Sequence, residues 1–450
     1  MAEPRTRAEG AAKKGVFSYP SFRKIWSASL VSSFGDWIGF FAVIALTQRV
    51  SKGSGETAIA FVLSARLLPG FFLGPVIGVL LDRRDRRTVM LACDGLRALV
   101  FAFLPFVDTV FGLVLASLML EALSLAWSSA KEATVPNLVP HKLLPGANSL
   151  SVAAAYGTFP LGSLAFALFA TLSKWLGNID ALSSLEVNQE SLALWFDGFT
   201  FVVSAFLVSR IPFPKAVRAS GSEESQRPNA LREIREGLRF IGTSPRVRSV
   251  MLGIGAGLFG GGMLVPLGQT FARDDLGGGA SAFGVLISAL GFGVAFSVIS
   301  LSVLQQRLRA EPVFVGSVFA AALFISLGAT ASSLTPALLW VFALGVAAGG
   351  VYVLGFTIIQ TNVDDALRGR TFATLYTMIR VCLLLAFVIA PVMSRLLGSL
   401  GLTLGLEVSG VRLSLWTVGG IITFAGVLSL LSLRDPSASR GHHPTSNVTT

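Results

Sequence analysis

Among the charged side chains that fall inside long apolar runs are Asp36, Arg66, Glu121, Asp197 and Arg380. A lone charge at a bilayer centre costs at least ~2.5–3.5 kcal/mol on insertion scales, so such groups are expected to face the interior and to pair. Burial favours the neutral acid and a neighbouring arginine favours the carboxylate, so a carboxyl held between the two can take up and release a proton. Asp36 or Glu121 is the expected proton carrier, with Asp197 a third candidate. Arg66 is the expected partner of Asp36, with Arg380 directed to the same region. The plainer alternative is a static Asp36–Arg66 pair that only joins the first two spans. One proton moving inward down ~100 mV supplies about 2.3 kcal/mol, roughly a 50-fold gradient.

Other chemistries find little support. The two cysteines, Cys93 and Cys382, lie in apolar runs, and the three histidines (His141, His442, His443) lie in expected loops or the tail, so no metal-ligand spacing and no disulfide framework is read. No metal and no cofactor is expected. No cluster of metal ligands or nucleophile with base points to an enzyme. A Gly-x-x-x-x-Gly-Lys-Ser/Thr phosphate loop is absent from the sequence, which disfavours ATP-driven transport.

The elements that carry these groups follow from composition. The chain has 450 residues, 53% hydrophobic and 14% charged, against about 25% charged in soluble domains. Mean hydropathy is +0.70. Such a chain needs an apolar solvent, and each crossing of it takes roughly 20 apolar residues. Runs of that length recur at 25–48, 57–81, 88–107, 110–130, 147–172, 192–211, 247–270, 281–303, 312–331, 335–360, 371–396 and 412–433. The fold class expected is an all-α membrane protein of twelve helices. With the N-terminus inside, the cytoplasmic segments and their flanks hold 27 of the 36 Lys and Arg, and the external loops hold six. This bias places both termini in the cytoplasm, and it accounts for most of the net charge of +11 without nucleic acid. No cleavable signal peptide is read in the polar, basic first 24 residues.

The organisation expected is a cytoplasmic tail (1–24), a six-helix half (25–211), a linker (212–246), a second half (247–433) and a disordered tail (434–450). In the linker Leu231, Ile234, Leu238 and Ile241 fall on one helical face and Arg232, Arg235 and Arg239 away from it. That pattern predicts a short helix on the membrane surface, or a solvated linker helix. The halves read as repeats offset by about 222 residues. Duplicated six-span halves are the build of a large class of secondary transporters, with the substrate bound near the midplane between them.

The turn after the second span carries the most information: Gly78-Val79-Leu80-Leu81-Asp82-Arg83-Arg84-Asp85-Arg86-Arg87. Gly78 permits close helix approach. Four arginines in five residues cannot enter lipid, and they can pair with acidic groups or helix C-termini, while Asp82 is favoured near a helix N-terminus. The turn resembles the Gly-x-x-x-Asp-Arg-x-Gly-Arg-Arg signature of the major facilitator superfamily, with Asp85 in the place of the second glycine.

That resemblance implies a cytoplasmic gate. Asp82 would face the N-terminus of span 11 at Gly369-Arg370-Thr371, Arg83, Arg86 and Arg87 would join the charge network, and Asp94 and Arg97 would extend it. It also implies that spans 1, 4, 7 and 10 line a cavity, which would put Asp36 and Glu121 on or near it. The opening Phe22-Arg23-Lys24-Ile25-Trp26 and Ser32-Ser33-Phe34-Gly35-Asp36-Trp37 is similar to the branch of enterobactin and macrolide exporters. So are Val135-Pro136-Asn137-Leu138-Val139-Pro140, Ile234 to Phe240 and Arg368-Gly369-Arg370. Two family features are altered. The antiporter kink of span 5 is reduced to Pro160 and Gly162, which can still bend a helix, and residues 110–130 contain no arginine.

Tyr352, Tyr156 and Gln360 are the candidate substrate contacts. The function expected is a secondary transporter, a monomer in a bacterial inner membrane. It would export a small amphipathic compound such as a drug, siderophore or secondary metabolite by proton antiport. Lipid or lysophospholipid transport is the alternative.

Overall fold

A computed structural model describes residues 15–51, 55–73, 77, 84–140, 143–176, 188, 190–212, 245–278, 280–304, 309–362 and 365–433. The linker helix expected over 231–241, the tail after 434, and Gly78, Asp82 and Arg83 lie outside them.

The described residues hold twelve helices long and apolar enough to cross a membrane. In lipid the backbone has no other partner than itself, so an apolar run of this length becomes a helix even where it contains Pro or Gly. They are α1 (Pro20–Val50), α2 (Gly55–Phe72), α3 (Arg86–Phe103), α4 (Val110–Thr134), α5a (Leu144–Tyr156) with α5b (Phe159–Leu176), α6 (Ser191–Ser209), α7 (Pro245–Thr270), α8 (Ala280–Leu304), α9 (Ala310–Ala329), α10 (Leu334–Asn362), α11 (Asp365–Thr403) and α12 (Gly410–Leu433). Pro69, Pro266 and Pro391 sit inside α2, α7 and α11.

Several boundaries move from those expected. The fifth span is two helices, broken at Gly157 and Thr158 just ahead of Pro160. α4 runs on to Thr134, so Lys131 is a buried helical residue and not part of a loop. The start of α11 is Asp365, so Gly369, Arg370 and Thr371 lie within the helix rather than at its N-terminus. At 39 residues α11 is roughly 58 Å long, well beyond the ~30 Å hydrocarbon core. Its apolar stretch begins only at Thr377, which leaves Arg380 one turn inside the end of that stretch rather than at its centre.

The chain divides into two compact units, residues 1–46 with 65–218, and residues 47–64 with 219–450. In the first, α3 packs on α4 and α6, around a core that includes Phe22, Ile25, Met90, Trp127, Ala130 and Val208. Two indoles of α1 bind carbonyls of α5a: Trp26 Nε1 donates to Leu150 O at 2.8 Å and Trp37 Nε1 to Ala155 O at 3.0 Å. In the second, α7 packs on α10, α11 and α12, and α8 and α9 both pack on α10. Ile254, Phe314, Val318 and Ile422 are buried in its core.

Candidate functional site

The first unit concentrates charge. Asp94 and Arg97 lie three apart on α3, which puts them on one face. Their contact is short, Arg97 Nη2 to Asp94 Oδ1 at 2.5 Å, with both side chains buried. The other Asp94 oxygen accepts from Trp127 Nε1 of α4 at 3.2 Å and from Ser204 Oγ of α6 at 2.9 Å. Arg97 also reaches Ser124 Oγ at 3.4 Å and lies over the Phe201 ring, 4.1 Å from its centroid. Asp94 is thereby satisfied from three helices. A buried ion needs such hydrogen bonds to offset its desolvation.

Asp36 of α1 is held far more loosely. Its Oδ2 stands 4.0 Å from Arg97 Nη1 and its side chain is 34% exposed. Ser32 Oγ lies 3.4 Å from the same oxygen, one turn earlier. Arg66 of α2 pairs with Glu121 of α4, Nε to Oε2 at 3.9 Å, with Glu121 28% exposed. The guanidinium also lies over Phe40 at 5.2 Å. The expected Asp36–Arg66 pair is thus corrected: in the structure each carboxylate takes a different arginine. The reason is the turn of α3, which presents Arg97 beside α1, a placement that linear spacing does not reveal.

Asp197 of α6 is fully buried. Thr200 Oγ1 donates to its Oδ1 at 3.2 Å, and its Oδ2 has no hydrogen-bond partner. The carboxyl is seated against two glycines of α1. A Cβ at Gly35 would stand 2.4 Å from Asp197 Oδ1, and one at Gly39 would stand 2.0 Å from Oδ2. Arg97 and Arg66 act electrostatically on both Asp36 and Asp197, which also act on each other. So Asp36, Asp197, Arg66, Arg97 and, through Arg66, Glu121 are brought together. Arg380 is exposed on α11 and belongs to the second unit.

The arginine turn is partly in view. Asp85, in the position of the signature's glycine, is the N-cap of α3: its side chain accepts from Thr88 N at 3.0 Å. Arg86 Nη1 donates to Ala133 O at 2.7 Å and Arg87 Nη2 donates to Ser209 O. These carbonyls lie at the C-terminal ends of α4 and α6, where a cation is favoured. The arginines therefore tie the start of α3 to two helix ends. Asp94 and Arg97, expected to extend the gate, instead make the buried network with Asp36, Trp127 and Ser204. The side chain of Arg370 lies outside the described residues, and Thr371 is buried.

In the second unit a cavity of about 160 Å³ is walled by Gly257, Leu258 and Gly261 of α7, Leu290 of α8, Ile325 of α9 and Tyr352 of α10, with other apolar groups. Tyr352 is 49% exposed, and its ring lies 4.5 Å from that of Phe356. An apolar pocket with one hydroxyl on its wall suits a compound that is largely apolar with a polar group. The side chains of Tyr156 and Gln360 lie outside the described residues.

Sequence reasoning missed Trp127, Ser204, Gly35, Gly39 and Lys131. The i, i+4 spacing of the two glycines was a usable signal, but nothing in the sequence connected them to Asp197. Trp127 and Ser204 carry no signal until α3, α4 and α6 are packed.

A family model described as "Transmembrane secretion effector" matches residues 14–423. An uncharacterized MFS-type transporter of Mycobacterium tuberculosis (strain ATCC 25618 / H37Rv) is 26% identical over 393 residues, covering 84% of this chain and 86% of its own. BacE of Bacillus subtilis, a proposed bacilysin exporter, is 27% identical over 337 residues, 72% of this chain and 76% of its own. Macrolide efflux protein A of Streptococcus pyogenes is 26% identical over 230 residues, 49% of this chain and 51% of its own. Among solved structures, a bacterial homolog of the human lysosomal transporter Spinster, inward-facing and unoccupied, superposes with a TM-score of 0.71 at 15% identity, covering 95% of this chain and 99% of that one. A D-xylose-proton symporter gives 0.67 at 15% identity, covering 93% and 99%. The fold shared with them is that of transporters, not of enzymes.

Proposed function

The chain belongs to the transmembrane secretion effector family of major facilitator transporters, and from that premise we propose that it exports a small amphipathic compound by alternating access, coupled to inward movement of protons. Drugs, siderophores and secondary metabolites are the classes in view. It works as a monomer in the bacterial inner membrane with both termini in the cytoplasm. Relatives named for bacilysin export and macrolide efflux support the direction, and the apolar cavity beside Tyr352 supports the class of substrate.

One observation carries the coupling. Among the carboxylates of this network, Asp36 and Glu121 are partly exposed and sit 4.0 and 3.9 Å from their arginines, whereas Asp94 is locked by three partners. A loosely paired, accessible carboxylate can lose its arginine and gain a proton as the cavity changes exposure, and a saturated one cannot. Arg97 and Arg66 then hold the charge of whichever carboxylate is ionised.

Transport into inverted vesicles tests this, with Asp36→Asn and Glu121→Gln compared with the wild type under an imposed proton gradient. Loss of the gradient dependence in at least one variant is expected, and full proton-dependent activity in both sinks the assignment. Supplying a lysophospholipid and an apolar drug to the same vesicles separates lipid transport from drug export.

A further inference from the structure

In the second unit α8 and α9 both pack on α10 but scarcely on each other. The seam of α8 on α10 is tight: a Cβ at Gly293 would meet Phe342 O at 2.1 Å, and one at Gly345 would meet Leu290 O at 2.1 Å. The two outer helices therefore diverge above a floor made by α10. Between them lies an open groove of about 530 Å³. Phe296 and Ser297 form part of one wall, Val313 and Gly316 part of the other, and Val346 and Gly350 part of the floor.

Its dimensions match half a membrane. The α9 wall runs from Val313 to Phe324, twelve residues and so roughly 16 Å from first to last, about half of the ~30 Å hydrocarbon core. The wall is apolar, and its small polar groups are already turned inward: Ser317 Oγ donates to Val313 O at 2.8 Å. Phe296 and Phe342 lie toward one end of it, with ring centroids 6.2 Å apart. At the other end stands Arg309, the N-cap of α9 and one turn before Val313. Arg309 is exposed, and among the described residues it has no acidic partner, since Glu311 is taken by Arg246 at 2.9 Å.

We propose that this groove binds one phospholipid, its acyl chain lying along α9 and its anionic headgroup held at Arg309. Apolar length and a cation at the interfacial end are what such a molecule requires. The site is separate from the cavity beside Tyr352 and does not rest on the transported substrate.

Gly316 supplies the test. A Cβ there meets nothing within 4 Å, so Gly316→Leu directs its side chain into the groove. Native mass spectrometry of the full chain with phosphatidylglycerol and with phosphatidylcholine is the measurement. One phosphatidylglycerol should persist on the wild type and be lost from Gly316→Leu. Arg309→Gln should lower the preference for phosphatidylglycerol about fivefold, the effect of one basic side chain at an anionic surface. Undiminished retention by Gly316→Leu, or equal retention of both lipids by the wild type, overturns the proposal. A phosphatidylglycerol with a photoreactive acyl chain gives a reading without variants. Labelling of residues 296–301, 313–324 or 342–350 supports the site, and labelling confined to residues outside these stretches overturns it.

Discussion

Arg97 serves two carboxylates on unequal terms. It touches Asp94 at 2.5 Å and Asp36 only at 4.0 Å. Removing Asp94 leaves a buried guanidinium with one distant acidic partner, and breaking a buried pair in this way costs about 3–5 kcal/mol. Asp94→Asn is therefore expected to lower the thermal unfolding midpoint in detergent sharply. Asp36→Asn, at a partly exposed and loosely paired position, is expected to change stability by less than ~1 kcal/mol while altering proton dependence. The seat of Asp197 gives a second residue-level test. Gly39→Ala places a methyl 2.0 Å from Asp197 Oδ2 and 2.8 Å from the Phe101 ring, and overpacking of this kind costs about 1–3 kcal/mol. Combining it with Asp197→Ala should recover part of the loss. Additive losses in the double variant would show that the glycine and the carboxyl do not share that space.

At the scale of the helix, two departures from the family pattern acquire physical reasons. Asp85 replaces a glycine and caps α3 through Thr88 N and Thr88 Oγ1, both at 3.0 Å. Asp85→Ala should cost about 1 kcal/mol and Asp85→Gly only a few tenths, read as shifts in unfolding midpoint. The fifth span lacks the family's full glycine set, yet it breaks at Gly157 and Thr158. Trp37 stands at that break, donating to Ala155 O and lying 4.8 Å from the Phe159 ring. Gly162 lets α1 approach, since a Cβ there would be 2.6 Å from Trp37 Cβ. Trp37→Phe removes the donor and keeps the ring, so transport should fall while helix content stays unchanged by circular dichroism.

For the whole molecule the loop charges make the prediction. Lys131 leaves the count of loop cations because α4 buries it, but with the N-terminus placed inside the expected cytoplasmic excess stays large and its sense unchanged. In a chain carrying Cys93→Ala and Cys382→Ala, an impermeant thiol reagent should label Ser51→Cys on intact cells. It should label Arg84→Cys only after the membrane is opened. The reverse pattern would invert the topology.

The sequence by itself determined the solvent, the number of crossings and the family, because each rests on local composition: an apolar run of spanning length must be helical in lipid, and arginine clusters must stay out of it. It placed Asp36, Glu121, Asp197 and Arg97 inside spans, and the three-residue spacing of Asp94 and Arg97 made their pairing legible. Only the tertiary structure decided which arginine meets which carboxylate, that Trp127 and Ser204 lock Asp94, and that two glycines of α1 seat Asp197. Those contacts depend on the rotation of each helix about its axis. Helices that are apolar on nearly every face carry little periodic signal to fix that rotation, so packing sets it, through where small residues let backbones approach and where a buried charge finds its partner.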